Sequence, residues 1–308
     1  MSRQTSSATR VTIIIPHYNQ KECLERLLPS VDAQTFKDFE VIIIDDCTPD
    51  EGTVSFIKDF VKDRPNMHLV QNTENMRFIK TCNKGIKMAK GEYICLLNSD
   101  TEIKSTFVER NVEVLDSDAS IGALSCIVVD RHGHDWFCGG RYMKGIPINL
   151  ENDFNGELPV DWIAGTAAFY RRAVFEEIGL FDESLIMYHE DVEYGLRMRA
   201  KTGYRACMIS DRLVTHFLVP SIARIEVCIY SARNSVLLSR KYAVRYLPNL
   251  VIHIIVYDVC KCLVIAVGAR LLRKQSSTWE SGMRSAIGCT RGLLRGLVSR
   301  QRPALPNL

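Results

Sequence analysis

Three short acidic stretches carry the chemistry open to this sequence: Asp45-Asp46, Asn98-Ser99-Asp100 and Glu190-Asp191. The first two close apolar runs, "FEVIIIDDCT" and "EYICLLNSDTEI", and the third opens the helical pattern "HEDVEYGLRMRAKTG". A fourth polar tip, Pro16-His17-Tyr18-Asn19, closes "VTIII". Buried strands that end in carboxylates deliver hard oxygens to one edge, and hard oxygens suit Mg²⁺ or Mn²⁺, with Asp100 as the candidate ligand. There is no Gly-x-Gly-x-x-Gly after the first strand and no Gly-Lys-Ser/Thr loop. Phosphates would therefore need a counter-charge other than a glycine-rich turn, and a divalent cation supplies one. Each stretch also has a plain structural reading. Asn-x-Asp forms turns, an aspartate before Thr48-Pro49-Asp50 can cap a helix, and acids in a first helical turn complement the helix dipole.

The elements that position these residues read as alternating strands and helices. "VTIIIPHYNQ", "FEVIIIDDCT", "MHLVQN" and "EYICLLNSD" are strands. "KECLERLLPSVDAQ" (Cys23, Leu24, Leu27, Leu28, Val31), "GTVSFIKDFVKD" (Val54, Ile57, Phe60, Val61) and "FIKTCNKGIKMAKG" are helices, the last closed by Gly91 as a cap. The strands are apolar throughout rather than alternating, which predicts a parallel sheet of βαβ units covered on both faces. Ligands of such sheets sit at the carboxyl ends of the strands, where the acidic tips lie. Beyond residue 120 the pattern loosens. "IGALSCIVVD" reads as a strand, 131–160 as a long loop with short strands, Ala164–Tyr170 as a strand before a helix, and "RACMISDRLVTHF" as a final strand ending near His216. His132, His134 and Cys138 lack a fourth ligand at any usual zinc spacing and read as loop material.

The totals are ordinary for a globular chain: 46% hydrophobic, 24% charged and a net charge of +3, too small to argue for nucleic acid. The eleven cysteines form no Cys-x-x-Cys pair and point to a reducing compartment. "MSRQTSSATR" has no apolar core of a secretory signal, and 1–10 reads as a disordered leader. From Arg270 onward eight Lys/Arg face one acid, Glu280. Just before it, Leu250–Ala269 is twenty residues long, enough to span a bilayer, but His253, Asp258 and Lys261 interrupt it. Attachment to a membrane face is the preferred reading, over a true span or a homo-oligomer interface.

Five segments in order, "VTIIIPHYNQ", "VIIIDDCTPD", "NKGIKMAKGEYICLLNSD", "WIAGTAAFYRRAVFEEIGLFDE" and "HEDVEYGLRMRAKTGYR", resemble the family 2 inverting glycosyltransferases of the GT-A fold. The resemblance covers about Val11 to His216. The "LLNSDT" form is similar to a subgroup with bacterial rhamnosyl- and galactofuranosyltransferases. It implies an α/β, Rossmann-like, mostly parallel sheet with helices on both faces over 11–218; the apolar run and basic tail beyond it read as a helical, basic, membrane-associating extension over 219–308. The resemblance implies transfer of a sugar from a dTDP- or UDP-linked donor to a glycan or lipid-linked acceptor in cell-surface polysaccharide synthesis, at the cytoplasmic face of the membrane.

By the same resemblance Asp191 is the general base and Glu190 its partner. Pro16, Tyr18, Asn19, Asp45, Asp46, Asn98 and Ser99 serve the nucleotide, with Asp46 on the pyrimidine. Asp100 and His216 serve the metal, and Trp162, Gly165 and Thr166 wall the sugar and acceptor pocket. Asn98 stands where the family pattern has aspartate. That departure leaves two further readings, a catalytically silent carbohydrate-binding or scaffold protein on the same fold and a nucleotidyltransferase; the second is disfavoured by the missing glycine-rich loop.

Overall fold

The computed structural model describes residues 9–150, 154–217, 224–259 and 276–299. Its first half follows the alternation: β1 (Val11–His17), α1 (Lys21–Asp32), β2 (Phe39–Asp45), α2 (Glu51–Val61), β3 (Met67–Gln71), α3 (Arg77–Met88) and β4 (Tyr93–Leu97). These strands lie in the order β3-β2-β1-β4, all parallel. The apolar side chains of β1, β2 and β4 are buried on both faces, as helix-covered parallel strands require. Thr12, His17, Glu40 and Asp45 are the buried polar residues of these strands, and Thr12 is satisfied within the sheet. Its hydroxyl donates to Glu40 Oε1 at 2.7 Å and accepts from Gly91 N at 2.8 Å. Gly91 is thus not the cap of α3, whose C-cap is Ala89. A Cβ at position 91 would lie 2.4 Å from Thr12 N, so glycine is needed for close backbone approach.

The second half extends this sheet with mixed polarity. After β5 (Thr101–Ile103) and α4 (Phe107–Ser117) come β6 (Ile121–Asp130), β7 (Asp135–Phe137), the hairpin β8 (Gly140–Met143) and β9 (Ile146–Asn149), then β10 (Glu157–Val160) and β11 (Ala167–Arg171). β11 is antiparallel to both β4 and β6. The strand expected from Ala164 therefore starts three residues later. Residues 164–166 form a turn at the carboxyl end of β4, where Asn98 N donates to Thr166 O at 2.9 Å. α5 (Arg172–Ile178) and α6 (Glu190–Lys201) follow, and β12 (Arg205–His216) runs parallel to β6 and antiparallel to β5.

The chain ends in α7 (Arg224–Tyr242), α8 (Leu247–His253) and α9 (Ser276–Val298). α9 approaches α7 along Gly288, Gly292 and Gly296; a Cβ on Gly292 would meet Ile229 O at 2.3 Å. Ala232, Val236, Leu250, Ile254, Cys289 and Leu293 form a small core there. Of the apolar run Leu250–Ala269, residues 260–269 lie outside the described residues, as do 1–8 of the leader. Among the described residues no helix is long and apolar enough to cross a membrane.

Candidate active site

The carboxyl edge of β1, β2 and β4 opens onto a cleft of about 1040 Å³. Pro16, Tyr18, Asp46, Asn98, Ser99, Asp100, Trp162, Gly165, Thr166, Glu190, Asp191 and His216 all line it. Asn19 and Asp45 do not. Asn19, at φ 58°, donates its N–H to Thr48 Oγ1 at 2.9 Å. Asp45 is 1% exposed and its carboxylate accepts from Thr48 N at 3.3 Å, so it braces the turn after β2.

Asp46 is also engaged by the protein. Its Oδ1 accepts from Asn72 Nδ2 at 2.7 Å and Met76 N at 2.8 Å, and its Oδ2 from Arg77 N at 2.9 Å. Oδ2 keeps one lone pair for a further donor. Arg77, at φ 68°, is held in a left-handed conformation by this contact. Its guanidinium lies 3.8 Å from Glu226 of the C-terminal helix α7, which also lines the cleft.

Asp100 and His216 meet at the centre. His216 Nε2 lies 3.1 Å from both Asp100 carboxylate oxygens. The β5–β12 pairing makes this contact by setting His216 opposite Thr101. Trp136 packs edge-on to the His216 ring with centroids 4.6 Å apart. Among the described residues the buried Nδ1 of His216 has no partner, and neither has Asn98 Oδ1. No three His, Cys, Asp or Glu side chains converge as a metal cage among those residues.

Glu190 and Asp191 open α6 and line the same cleft. Asp191 Oδ1 accepts from Val192 N at 2.8 Å and Oδ2 from Gly165 N at 3.2 Å. Burial pushes both carboxyls above their usual range, Glu190 further because the Asp191 charge adds to the desolvation. Backbone N–H donors hold Asp191 back from the same rise. Such a pair keeps one proton and offers one carboxylate near neutral pH, which suits a general base beside a neutral carboxyl. Glu190 Oε2 is buried without a hydrogen-bond partner among the described residues. A Cβ on Gly165 would meet only Glu190 Oε1 at 3.6 Å and Phe78 at 4.0 Å, so the missing side chain leaves space in the cleft.

The model of glycosyl transferase family 2 matches residues 12–179, more than half of the chain. The chain belongs to this family. The GT-A fold expected from the resemblance is the fold observed. It is 27% identical over 226 residues to the O-antigen biosynthesis protein RfbC of Myxococcus xanthus, covering 67% of this chain but 17% of that protein. It is 25% identical over 217 residues to the amylovoran biosynthesis glycosyltransferase AmsB of Erwinia amylovora, covering 68% and 69%. The mannosyltransferase PcManGT from Pyrobaculum calidifontis, solved with GDP-Man and Mn²⁺, shares the fold at TM-score 0.57 and 19% identity over 92% of this chain and 88% of that one.

Several cleft residues of this glycosyltransferase carry no chemical signal in the sequence. Trp136 sits in "RHGHDWFCGGRY", where an aromatic among glycines and histidines is the one hint. Arg77 and Phe78 reach Asp46 and Gly165 only because α3 folds back over β1, while Asn72, just after β3, bonds Asp46 without lining the cleft. His17 is 2% exposed, and burial depresses its ring to about 4, so it stays neutral.

Proposed function

We propose that this enzyme transfers a glycosyl group, with inversion, from a dTDP- or UDP-linked sugar to a glycan or lipid-linked acceptor in cell-surface polysaccharide synthesis. The observation that carries the reading is one cleft lined by both the Asp100–His216 contact and the desolvated Glu190–Asp191 pair. In this reading Asp191 takes the acceptor hydroxyl proton as that oxygen attacks the anomeric carbon, while the nucleoside diphosphate leaves from the opposite side. Glu190 stays protonated and donates to a sugar or acceptor hydroxyl. Tyr18 and the free lone pair of Asp46 Oδ2 take the base, and Asn98 Oδ1 accepts from a ribose hydroxyl.

The donor set fits a divalent cation. Asp100 and His216 would hold it through one carboxylate and one imidazole, a pair that suits Mn²⁺ better than Mg²⁺. Two protein ligands leave coordination positions for diphosphate oxygens. Bound there, the cation would act as a Lewis acid on the leaving diphosphate. PcManGT, which shares the fold, was solved with Mn²⁺, in agreement with this choice.

We further propose that the enzyme attaches to the cytoplasmic face of a membrane through α9, whose exposed side carries Arg284, Ile287, Arg291, Leu294, Arg295, Leu297 and Val298 with no acid among them. Titration with UDP, dTDP and GDP, with and without Mn²⁺, followed by product analysis, tests the enzymatic reading. Release of nucleoside diphosphate on adding the matched sugar nucleotide supports glycosyl transfer. Pyrophosphate would mean nucleotidyl transfer, and no nucleotide binding by folded protein would leave a scaffold.

A further inference from the structure

The acid pair is reached through an unusual stretch of backbone. Met187 N donates to Leu185 O at 2.8 Å, closing a three-residue turn with Ile186 at its centre at φ 67° and ψ −55°. That is the strained γ-turn, here on a β-branched residue. Tyr188 at φ 64° and His189 at φ 65° are left-handed as well. "LIMYH" contains neither glycine nor asparagine, so nothing local favours this path.

The stretch is held from α7. Asn234 is fully buried at 0% exposure, and its Nδ2 lies 2.9 Å from each of the Leu185, Met187 and Tyr188 carbonyls, two hydrogens shared among three acceptors. Arg233 Nη1 donates to Asn234 Oδ1 at 2.7 Å and to Ser184 O at 3.1 Å, which orients the amide. Ser235 Oγ lies 3.4 Å from His189 Nδ1. Three consecutive residues of one helix thus grip the segment that delivers Glu190 and Asp191.

We infer that Asn234 is a positioning residue: its amide holds residues 185–188, with Ile186 and Tyr188 at positive φ, in the path that aims Glu190 and Asp191 into the cleft. The inference rests on the acid–base reading of that pair. Without the amide, the Met187 and Tyr188 carbonyls lose this donor, Leu185 O keeps only the Met187 N–H, and the strained turn loses its anchor on α7. A displacement of about 1 Å at a catalytic group costs roughly 100-fold in rate.

The test is Asn234→Leu, which keeps the branched heavy-atom shape of the amide but has no donor. Expected are a 10- to 100-fold fall in kcat, as about 1 Å of displacement implies, unchanged nucleotide affinity, and faster amide hydrogen exchange across 185–189. Adding Ile186→Gly, which accepts positive φ freely, should recover part of kcat. Arg240→Met is the control: it loosens α7 from the carbonyls of Gly296 and Ser299 without touching the turn, and should lower Tm while leaving kcat intact. If Asn234→Leu does not fold, Asn234→Ser keeps one shorter donor and is read the same way. Unchanged kcat in folded Asn234→Leu, no recovery from Ile186→Gly, or an equal kcat loss in Arg240→Met would overturn the inference. Hydrogen exchange needs no substrate. A wild-type protein without transferase activity would sink the proposed function, while unchanged exchange in Asn234→Leu would sink the hold on the turn.

Discussion

His216 Nε2 sits 3.1 Å from both carboxylate oxygens of Asp100, across 116 residues of sequence. The contact is built by backbone. Thr101 pairs with His216 in the β5–β12 ladder, and Phe217 N donates to Asp100 O at 2.9 Å. A turn aspartate with only a local role would not need a twelve-residue strand returning to meet it.

Asp100→Ala should therefore abolish Mn²⁺-dependent nucleotide binding, and lower kcat by at least about 100-fold, because a metal contributes several kcal/mol to a departing diphosphate. His216→Ala should weaken metal affinity by a smaller factor, since diphosphate oxygens can replace one protein ligand. Calorimetric titration of nucleotide with and without Mn²⁺ measures both. Equal binding by wild type and Asp100→Ala would remove Asp100 from the donor site.

The Glu190–Asp191 pair makes a prediction about pH in two directions. Asp191 must be ionised to accept a proton, and burial raises its pKa, so activity should rise with pH along an acid limb above the ordinary carboxylate value of about 4. Asp191→Asn should cost about 100- to 10,000-fold in kcat. Stability runs the other way. Glu190 is raised in the folded protein, so its contribution is fully present below the unfolded pKa and is lost as pH rises through the folded value. Glu190→Gln should gain stability over wild type by on the order of 1–3 kcal/mol near pH 8 and much less near pH 4. Denaturant melts at the two pH values check this; a gain that does not grow with pH contradicts the buried, protonated Glu190.

The parallel half of the fold was legible because buried strands and amphipathic helices impose periodicities of their own: Leu24, Leu27, Leu28 and Val31 are buried as their spacing predicts. The antiparallel direction of β11 was not, because strand direction depends on where the chain returns, and residues 161–166 carry no periodic signal of that. Asp45 and Asp46 show the same limit at the site. Adjacent strand-end aspartates point opposite ways, and only the fold decides that Asp46 reaches the cleft while Asp45 braces Thr48. Asn234 was invisible for a further reason. Its partners are main-chain carbonyls about 47 residues upstream, and a contact to backbone leaves no mark on the sequence of the partner.

Gly165→Ala separates packing from function. The added methyl meets only ordinary contacts, at 3.6 Å to Glu190 and 4.0 Å to Phe78, so Tm should change little. The methyl nevertheless enters the cleft between the acid pair and the α3 wall, where the sugar or acceptor is proposed to sit. KM for one substrate should rise, with the other unaffected. A variant with wild-type kinetics for both would show that this space is not used.

The outer side of α9 argues for a lipid surface rather than water. Leu294 is 56% and Val298 77% exposed, and Arg284, Arg291 and Arg295 accompany them with no acid from 284 to 298. A helix facing only water has no use for that apolar stripe, since its small-residue side already packs on α7. Cationic residues near an anionic surface contribute about 1 kcal/mol each, and the apolar side chains add area on insertion. The protein should co-sediment with vesicles containing phosphatidylglycerol, more weakly as salt is raised and weakly with neutral phosphatidylcholine. Leu294→Glu should reduce binding on both kinds of vesicle, whereas Arg291→Glu should reduce it mainly on the anionic ones. Neither change touches the cleft, so turnover of a soluble acceptor should stay at the wild-type rate in both. Full vesicle binding by Leu294→Glu, or binding indifferent to lipid charge, would mean that this face of α9 is not what meets the membrane.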